Sequence, residues 1–307
     1  MPQPIPVPSP VAVSFVLGTR GRSAQLATTL EYWAQVRSDA LWELVVVDNN
    51  SDDQTWELLQ TWTDRLPLRP VRERMRGVTR ARNTGVGHAS GALIAFVDDD
   101  CYPAPDLVDA WLRVFADPRV DYSAGRVELF DDADLPITIK TSLDPIWYVP
   151  SRLIPPGEIH SASMAVRREV FFGVGRFDPD LGPGTPFRSG DDTEFFQRAS
   201  LLGYCGRYSP EAVIWHHHGR READYPGLQR GYDLGTGGAF GAIAVQLPGA
   251  AWRLVLGEVA RSGGVRPFSK RVYWWMRGHG RRSLGRVGLA AARFAWVTAR
   301  RGRRVRS

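Results

Sequence analysis

Cysteine is scarce in this chain of 307 residues. Only Cys101 and Cys205 occur, and they do not form a Cys-x-x-Cys motif. A disulfide framework or a cysteine zinc site needs more thiols at closer spacing, so neither kind of structure is indicated. Isolated thiols are typical of a reducing compartment, and we therefore expect a cytoplasmic protein.

Long hydrophobic runs and the glycine fingerprint of dinucleotide-binding proteins are also missing. The longest apolar stretch, residues 239–257, is interrupted by Gln246, Pro248 and Arg253 and is not expected to span a bilayer. The opening MPQPIPVPSP lacks the basic and apolar regions of a secretion signal, and it predicts a disordered, proline-rich leader over residues 1–10. Without a Gly-x-Gly-x-x-Gly motif, a nicotinamide-dependent dehydrogenase is not supported.

Acidic residues are absent from the last part of the chain. Residues 261–307 contain 14 Lys or Arg and no Asp or Glu, whereas the first 260 residues contain 25 basic and 33 acidic residues. Trp274, Trp275, Phe294 and Trp296 lie among the arginines, a composition typical of helices at membrane interfaces. We expect residues 221–307 to form a helical basic extension, of which 261–307 binds an anionic membrane surface.

The basic extension could instead belong to the folded body of the protein. In that case its aromatic side chains would pack on the rest of the chain, and its arginines would be merely solvated. Nucleic acid is not expected as a partner, because no known nucleic-acid-binding motif accompanies the charge and the rest of the chain is acidic.

What is abundant in the first hundred residues is an alternation of strand-like and helical patterns. The runs VAVSFVLG, ELVVVD and ALIAFV each end at polar residues, and amphipathic segments such as residues 23–36 lie between them. This alternation predicts an α/β fold with a mostly parallel, doubly wound sheet. Because ligands bind beyond the carboxyl ends of such strands, Thr19, Asp48 and Asp98 are expected in one crevice.

Three consecutive carboxylates, Asp98, Asp99 and Asp100, follow the third apolar run. Neighbouring carboxylates repel one another, so a cation is expected to neutralise them. In an extended segment Asp98 and Asp100 would share one face while Asp99 points away, which suits a divalent ion. The alternative is an acidic turn that caps the next helix.

Two further clusters of functional side chains come later. Asp191 and Asp192 open a predicted helix after a glycine-rich loop, residues 178–190, where a single carboxylate would already suffice as a cap. His216, His217 and His218 end a predicted strand. Alternate histidines on one face suit metal binding, and a solvated strand end is the alternative.

Six sequence blocks, in this order, resemble the inverting nucleotide-sugar glycosyltransferases of family 2, which have the GT-A fold. They are LGTRGR, VVVDNNSDD, GVTRARNTGVGHASGALIAFVDDD, SASMAVRREVFFGVGRFD, SGDDTEFFQR and WHHH, and they place the catalytic domain at residues 11–220. The resemblance implies inverting transfer of a sugar from a UDP-, dTDP- or GDP-sugar to a hydroxyl acceptor. It also implies Mn²⁺ or Mg²⁺ as the cofactor, held by a DxD motif, which is consistent with the preference of hard cations for carboxylates.

The resemblance further implies roles for residues around the leaving group. Asp98 would contact the ribose or donor sugar, and Asp100 would ligate the metal ion. His216, or its neighbour His218, would join the metal or the diphosphate. Arg82 would touch the diphosphate, with the alternative that it only holds Asp98 in place.

The resemblance also assigns the nucleoside and the acceptor. Thr19, Asp48 and Asn49 correspond to positions around the base and ribose, although LGTRGR departs from the family's PTYNR block. Asp192 would be the general base that deprotonates the acceptor hydroxyl, with Asp191 orienting the acceptor. The acceptor would be a saccharide or a lipid-linked glycan of cell-surface polysaccharide or glycolipid synthesis, with the enzyme peripheral on the inner face of the plasma membrane.

Two further functions stay open from the sequence. A sugar-1-phosphate nucleotidyltransferase would be expected to carry a longer, more glycine-rich loop than LGTRGR. A non-catalytic nucleotide-sugar-binding or membrane-binding module would be expected to lose the acidic pair Asp191 and Asp192, which this chain retains.

Overall fold

The computed structural model describes residues 10–253, whose strands form one nine-stranded sheet. The strands are β1 (Val13–Thr19), β2 (Trp42–Asp48), β3 (Leu68–Arg72), β4 (Leu93–Asp98), β5 (Cys101–Pro103), β6 (Tyr122–Leu129), β7 (Ile146–Tyr148), β8 (Ser163–Arg167) and β9 (Gly206–His216). The α-helices are α1 (Ser23–Trp33), α2 (Thr55–Trp62), α3 (Val78–His88), α4 (Leu107–Phe115), α5 (Arg168–Val174), α6 (Asp191–Leu201) and α7 (Tyr225–Gln246), and a short 3-10 helix, Glu222–Asp224, precedes α7.

One half of the sheet is entirely parallel. Its strands lie in the order β3-β2-β1-β4, connected through helices. The register pairs Thr19 with Asp48, and Gly18 with Asp98, so three strands end at the same edge of the sheet. The strand ends that the sequence predicts to converge therefore do lie side by side.

Both faces of this parallel half are buried under helices. Phe15 packs with Trp33 of α1 on one face of β1, and Val16 belongs to a second core on the opposite face. Each fully buried side chain of this size contributes about 1.5–3 kcal/mol to the free energy of folding. Helix α3 lies so close to the sheet that a Cβ on Gly85 would be 2.5 Å from Val16 Cγ1. Glycine at this position lets α3 carry Arg82 to the end of β4.

The second half of the sheet is mixed. Strand β8 lies antiparallel between β4 and β6, β9 is parallel to β6, and the short strands β5 and β7 pair antiparallel with β9. Six of the nine strands point in one direction, which confirms the predicted mostly parallel sheet. The pairing of β5 with β9 sets Cys101 opposite His216.

Helix α7 packs against the start of α6. At Gly190, where φ is +89°, a Cβ would lie 2.2 Å from the carbonyl oxygen of Gly235, so only glycine fits. Helix α7 falls within the predicted helical extension, whereas residues 1–9 of the predicted leader and the whole basic segment 261–307 lie outside the described residues. Between residues 10 and 253, none of the helices combines the length and the apolar character that crossing a bilayer requires.

Candidate functional site

The acidic triplet occupies a turn between two strands. Strand β4 ends at Asp98, the chain turns at Asp99 and Asp100, and β5 begins at Cys101. The carboxylates of Asp98 and Asp100, the Cys101 thiol and the His216 imidazole offer ligand atoms that all lie within 4.8 Å of one another. We call these four residues the ligand cluster, and it has the composition and size of a site for one metal ion.

A turn, not an extended segment, brings Asp98 and Asp100 together, so the geometric reason inferred from the sequence was wrong. Helix α4 begins only at Leu107, and its N-cap residue is Asp106. The triplet therefore does not cap this helix. Asp99 lies outside the ligand cluster, but its carboxylate does not point away from Asp100 as the sequence predicts, because both contact the Arg22 guanidinium.

Asp99 is directed toward β1 and the start of α1. It accepts hydrogen bonds from the Thr19 hydroxyl at 2.7 Å and from the Arg22 guanidinium at 2.5 Å. Burial raises the pKa of Asp99 to about 6, although Arg22 opposes the shift. The Thr19 hydroxyl, which the sequence predicts near the nucleoside, is thus engaged by the middle carboxylate of the triplet.

Two partners, His216 and Arg22, hold Asp100 as an anion. The His216 Nε2 atom lies 3.2 Å from Asp100 Oδ1, and Arg22 Nη2 lies 3.1 Å from Asp100 Oδ2. Burial by itself raises the pKa of Asp100, but His216 and Arg22 outweigh it and bring the pKa down to about 2. This carboxylate is therefore ionised at neutral pH and suited to bind a cation.

Among the three consecutive histidines, it is His216 that faces Asp100. Its Nδ1 atom lies 3.1 Å from the Thr138 hydroxyl, which leaves Nε2 directed toward the ligand cluster. His218 uses both ring nitrogens elsewhere, because Nε2 donates to the carbonyl of Leu135 at 2.9 Å and Nδ1 accepts from the Arg220 N–H at 3.0 Å. The choice between His216 and His218 that the sequence leaves open falls geometrically on His216.

The two strand-end residues predicted to lie near the nucleoside, Asp48 and Asn49, differ in how much of their hydrogen-bonding capacity is already used. Among the residues that the structure describes, the one hydrogen bond to the Asp48 carboxylate is local, from the Ser51 N–H to Oδ1 at 2.9 Å. Asn49 instead uses its whole amide on neighbouring backbone: its Oδ1 accepts from Gly77 N–H at 2.8 Å, and its Nδ2 donates to Met75 C=O at 2.8 Å. In this structure Asn49 fixes the segment before α3, and its amide is not directed to a base.

A cleft of about 330 Å³ lies at the ends of β2 and β3, next to Asp48 and away from the ligand cluster. Polar and charged side chains dominate its walls, and the Arg72 guanidinium covers the Trp56 ring at 4.0 Å. The lining residues are Asp48, Asn50, Ser51, Asp53, Trp56, Glu57, Arg72, Glu73 and Arg74.

Arg82 connects the triplet to the second acidic pair. Its side chain is buried, with 4% exposure; Nη2 donates to Asp98 Oδ1 at 2.8 Å, and Nη1 forms a short ion pair with Asp191. A single guanidinium therefore touches the carboxylate that ends β4 and the carboxylate that begins α6. This geometry corresponds to the positioning role that the sequence leaves open, in which Arg82 holds Asp98.

Asp191 and Asp192 are the first two residues of α6. Asp192 is half-buried, and it accepts from the N–H of Thr193 at 2.7 Å and from the N–H of Ser161 at 3.2 Å. Burial raises the pKa of both carboxyls, and Arg82 opposes the shift. Within residues 10–253 no cation directly contacts Asp192, and a carboxylate with a raised pKa is a better proton acceptor than Asp100.

Sequence reasoning missed Cys101 and Ser161. Cys101 directly follows the triplet, which was a usable signal, but its contact with His216 depends on the pairing of β5 with β9. Burial raises the pKa of the Cys101 thiol, so it remains protonated. Ser161 contributes a backbone N–H, and no side-chain pattern could have revealed it.

Comparison with known proteins agrees with this arrangement. Residues 14–171 match the family described as "Glycosyl transferase family 2". The chain is 25% identical over 186 residues to the glycosyltransferase AglE of Haloferax volcanii, covering 60% of this chain and 59% of that protein. It is 28% identical over 197 residues to the pre-mycofactocin glycosyltransferase of Mycobacterium tuberculosis, covering 62% of this chain and 38% of that protein. The matches thus span only about two fifths to three fifths of these relatives.

Among solved structures, the fold is similar to that of the mannosyltransferase PcManGT from Pyrobaculum calidifontis, in complex with GDP-Man and Mn²⁺. The TM-score is 0.57 at 19% identity, over 96% of this chain and 90% of that one. At this level of identity the similarity establishes the fold alone, and it confirms the predicted GT-A architecture.

Proposed function

Since the chain belongs to glycosyl transferase family 2, we propose that it transfers a glycosyl residue from a nucleoside-diphosphate sugar to an acceptor hydroxyl, with inversion of the anomeric carbon. The observation that carries this proposal is the Arg82 bridge. It holds Asp98, at the edge of the ligand cluster, beside Asp191 and therefore beside the neighbouring Asp192. Both groups that such a transfer requires, one for the leaving diphosphate and one for the acceptor proton, thus adjoin each other.

The residues of the ligand cluster fit a divalent ion. Asp98 and Asp100 supply carboxylate oxygens, and His216 supplies an imidazole nitrogen, a donor set that suits Mn²⁺ and also accommodates Mg²⁺. Cys101 is the least suitable of the four, because its buried thiol stays protonated. When bound there, such an ion stabilises the negative charge that develops on the departing diphosphate.

Asp192 is the proposed general base. Its two carboxylate oxygens are oriented by the N–H groups of Thr193 and Ser161, and its raised pKa strengthens it as a proton acceptor. Asp191, held by Arg82, positions the start of α6 and through it the acceptor. Inversion requires one displacement with one base and no covalent nucleophile. The ligand cluster on the Asp98 side of Arg82 would stabilise the leaving diphosphate, and Asp192 on the Asp191 side would accept the proton.

The proposed donor lies across the ends of the parallel strands. Asp48 borders the cleft at β2 and β3, on the side where the nucleoside would lie, and the diphosphate would approach Asp98 and Asp100. The GDP-mannose and Mn²⁺ in the similar mannosyltransferase structure support a nucleotide sugar and a divalent ion as the class of ligands.

The remaining parts of the proposal concern the acceptor and the location. A saccharide or a lipid-linked glycan is the proposed acceptor, in the synthesis of a cell-surface polysaccharide or glycolipid. Residues 11–220 are the proposed catalytic domain, and residues 261–307 are proposed to bring it to an anionic membrane surface.

The decisive experiment measures Mn²⁺-dependent release of nucleoside diphosphate from a panel of UDP-, GDP- and dTDP-sugars. The expected result is turnover of at least one donor that disappears with EDTA. His216→Asn should weaken Mn²⁺ binding at least tenfold by calorimetry, since even the hydrogen-bond partners of metal ligands are worth about 10- to 100-fold in affinity.

His217→Asn is the matched control, because the His217 Nδ1 atom bonds with the Tyr102 hydroxyl at 2.8 Å and lies outside the ligand cluster. Turnover that is insensitive to chelation would contradict the metal-dependent proposal. Equal loss of Mn²⁺ affinity in both histidine variants would contradict the assignment of His216.

A further inference from the structure

His160 is a half-buried histidine in the loop between β7 and β8, outside both the ligand cluster and the Asp191–Asp192 pair. Among residues 10–253 its ring has no hydrogen-bond partner, unlike the rings of His216, His217 and His218. Because the ring is only half-buried and its nitrogens are not among the buried unpartnered atoms of residues 10–253, they are accessible to a ligand.

The backbone around His160 is fixed from two sides. On one side Lys140 Nζ bonds to the Glu158 carboxylate at 2.5 Å and to the Glu158 carbonyl at 3.0 Å. On the opposite side the Ser161 N–H donates to Asp192 at 3.2 Å. His160 is therefore presented from a braced segment, directly next to the residue that orients the proposed base.

The charges around the ring locate it on the donor side of the site. Lys140, His216, Glu158 and Asp98 all act on His160 electrostatically, so the ring lies within the field of the ligand cluster. His160 is not itself one of the ligand cluster residues. His160 thus lies near the ligand cluster, where the diphosphate is proposed to bind, and next in the chain to Ser161, which bonds to Asp192. The transferred sugar would occupy the space between these two groups.

The ring is a neutral imidazole at physiological pH. Burial lowers the pKa of His160 to about 4, and Lys140 and His216 act in the same direction. A neutral imidazole offers one N–H donor and one nitrogen acceptor. A sugar hydroxyl, which both donates and accepts, is the complementary partner, whereas a phosphate would need a charged donor to bind well.

We propose that His160 hydrogen-bonds to a hydroxyl of the transferred sugar and so helps to select the donor. The inference rests on the proposed function, because it presupposes a sugar nucleotide in the site. It assigns the contact to the sugar and not to the nucleoside diphosphate. A binding site that hydrogen-bonds a substrate hydroxyl discriminates strongly against analogues that lack it.

The test compares wild type, His160→Ala and His160→Gln in the full chain. Calorimetry with Mn²⁺ measures the affinity for UDP and GDP alone, and steady-state assays measure kcat/KM for UDP-glucose, UDP-N-acetylglucosamine and GDP-mannose. His160→Ala should lower kcat/KM for the preferred donor about tenfold, the value of one well-placed hydrogen bond. Affinity for the nucleoside diphosphate should change less than about twofold, since the proposed contact lies outside it. His160→Gln should recover part of the activity.

Deoxy analogues of the preferred donor sharpen the assignment. The analogue that lacks the hydroxyl bound by His160 should be used equally well by wild type and by His160→Ala, as in a double-mutant cycle. His88→Ala is the control, because His88 is exposed at the last position of α3 and is not a member of the ligand cluster.

Three outcomes would overturn the inference. The first is an equal loss of affinity for UDP or GDP alone in His160→Ala, which would place the contact on the diphosphate or on folding. The second is unchanged kcat/KM for every donor, with wild type active. The third is a wild type that binds and turns over no sugar nucleotide, and this result alone would also overturn the proposed function.

Discussion

The two acidic pairs of the site, Asp99–Asp100 and Asp191–Asp192, look alike in the sequence and differ in what surrounds them. Asp100 contacts Arg22 and His216, and these partners lower its pKa to about 2. Asp192 receives hydrogen bonds from two backbone N–H groups, and burial raises its pKa.

The difference teaches that neighbouring charges, and not the carboxyl group itself, separate cation binding from proton transfer. Asp100, with two partners that stabilise its charge, stays ionised and keeps its affinity for metal. At Asp99 and Asp191 a single arginine does not outweigh burial, and the pKa is raised. A carboxylate buried without such a partner in contact gains basicity, which a general base needs. Arg82 lies between the two environments and touches one member of each side, Asp98 and Asp191.

Replacement of the proposed base should give the largest effect. Asp192→Asn keeps the shape and one of the two acceptor oxygens but removes the proton acceptor, so transfer should fall about 10²- to 10⁴-fold. Affinity for Mn²⁺ and a nucleoside diphosphate should stay the same, because the ligand cluster is untouched. Steady-state kinetics and calorimetry measure the two quantities separately.

Asp39→Asn is the matched control for this variant, since Asp39 is exposed between α1 and β2. If Asp192→Asn also lost affinity for the nucleoside diphosphate, Asp192 would contribute to donor binding. That result would contradict the division of roles between the two acidic pairs.

Replacement of Arg82, which bridges Asp98 and Asp191, should have the next largest effect. Arg82→Gln leaves Asp98 and Asp191 without their cation, and breaking a buried ion pair in this way typically costs about 3–5 kcal/mol of folding free energy. Urea unfolding measures the loss, and Asp191→Asn in the same chain should restore part of it. Arg65→Gln is the control, because Arg65 pairs with Glu31 on the surface and should cost at most about 1 kcal/mol.

Equal, small losses in Arg82→Gln and Arg65→Gln would contradict the role of the bridge. A loss that Asp191→Asn fails to relieve would show that packing of the arginine side chain, and not its charge, holds α6 against the sheet.

The parallel half of the sheet was predictable because its signals are local. Runs such as LVVV and LIAF show which segments are buried strands, and the positions of Asp48 and Asp98 follow from where those runs stop. The antiparallel half was not, because the direction of β8 and the pairing of β5 with β9 depend on contacts between distant segments.

The same distinction explains the individual site residues. Asp191 and Asp192 were found because they are adjacent and open a helix. The local sequence could not show that the Asn49 amide hydrogen-bonds to Gly77 and Met75, since those backbone groups come from a segment more than 20 residues away. Nor could it show that Thr19 binds Asp99, a contact that the register of β1 and β4 creates.

Replacement of a third carboxylate, Asp53, should have the smallest effect. It tests how far hydrogen bonds can offset the effect of burial on a carboxyl pKa. Like Asp192, Asp53 accepts from a backbone N–H and a threonine hydroxyl, in this case both of Thr55, and also from the Ser23 N–H. At Asp53 these donors, the Thr55 hydroxyl first, outweigh burial and lower the pKa from 3.8 to about 2.

Because the folded-state pKa of Asp53 lies below the unfolded value, its contribution to stability is present above about pH 4 and is lost as the pH falls toward 2. Asp53→Asn should therefore be less stable than wild type at pH 7, by about 1 kcal/mol or less, because a neutral amide oxygen accepts these hydrogen bonds less strongly than a carboxylate. The difference should shrink steadily between pH 4 and 2 in urea unfolding, while Asp52→Asn, at the neighbouring exposed position, should follow wild type throughout. A gap between Asp53→Asn and wild type that stays constant down to pH 2 would mean that the hydrogen bonds do not favour the ionised form. In that case donor groups would not offset burial at Asp192 either, and the contrast between the two acidic pairs would rest on the cations alone.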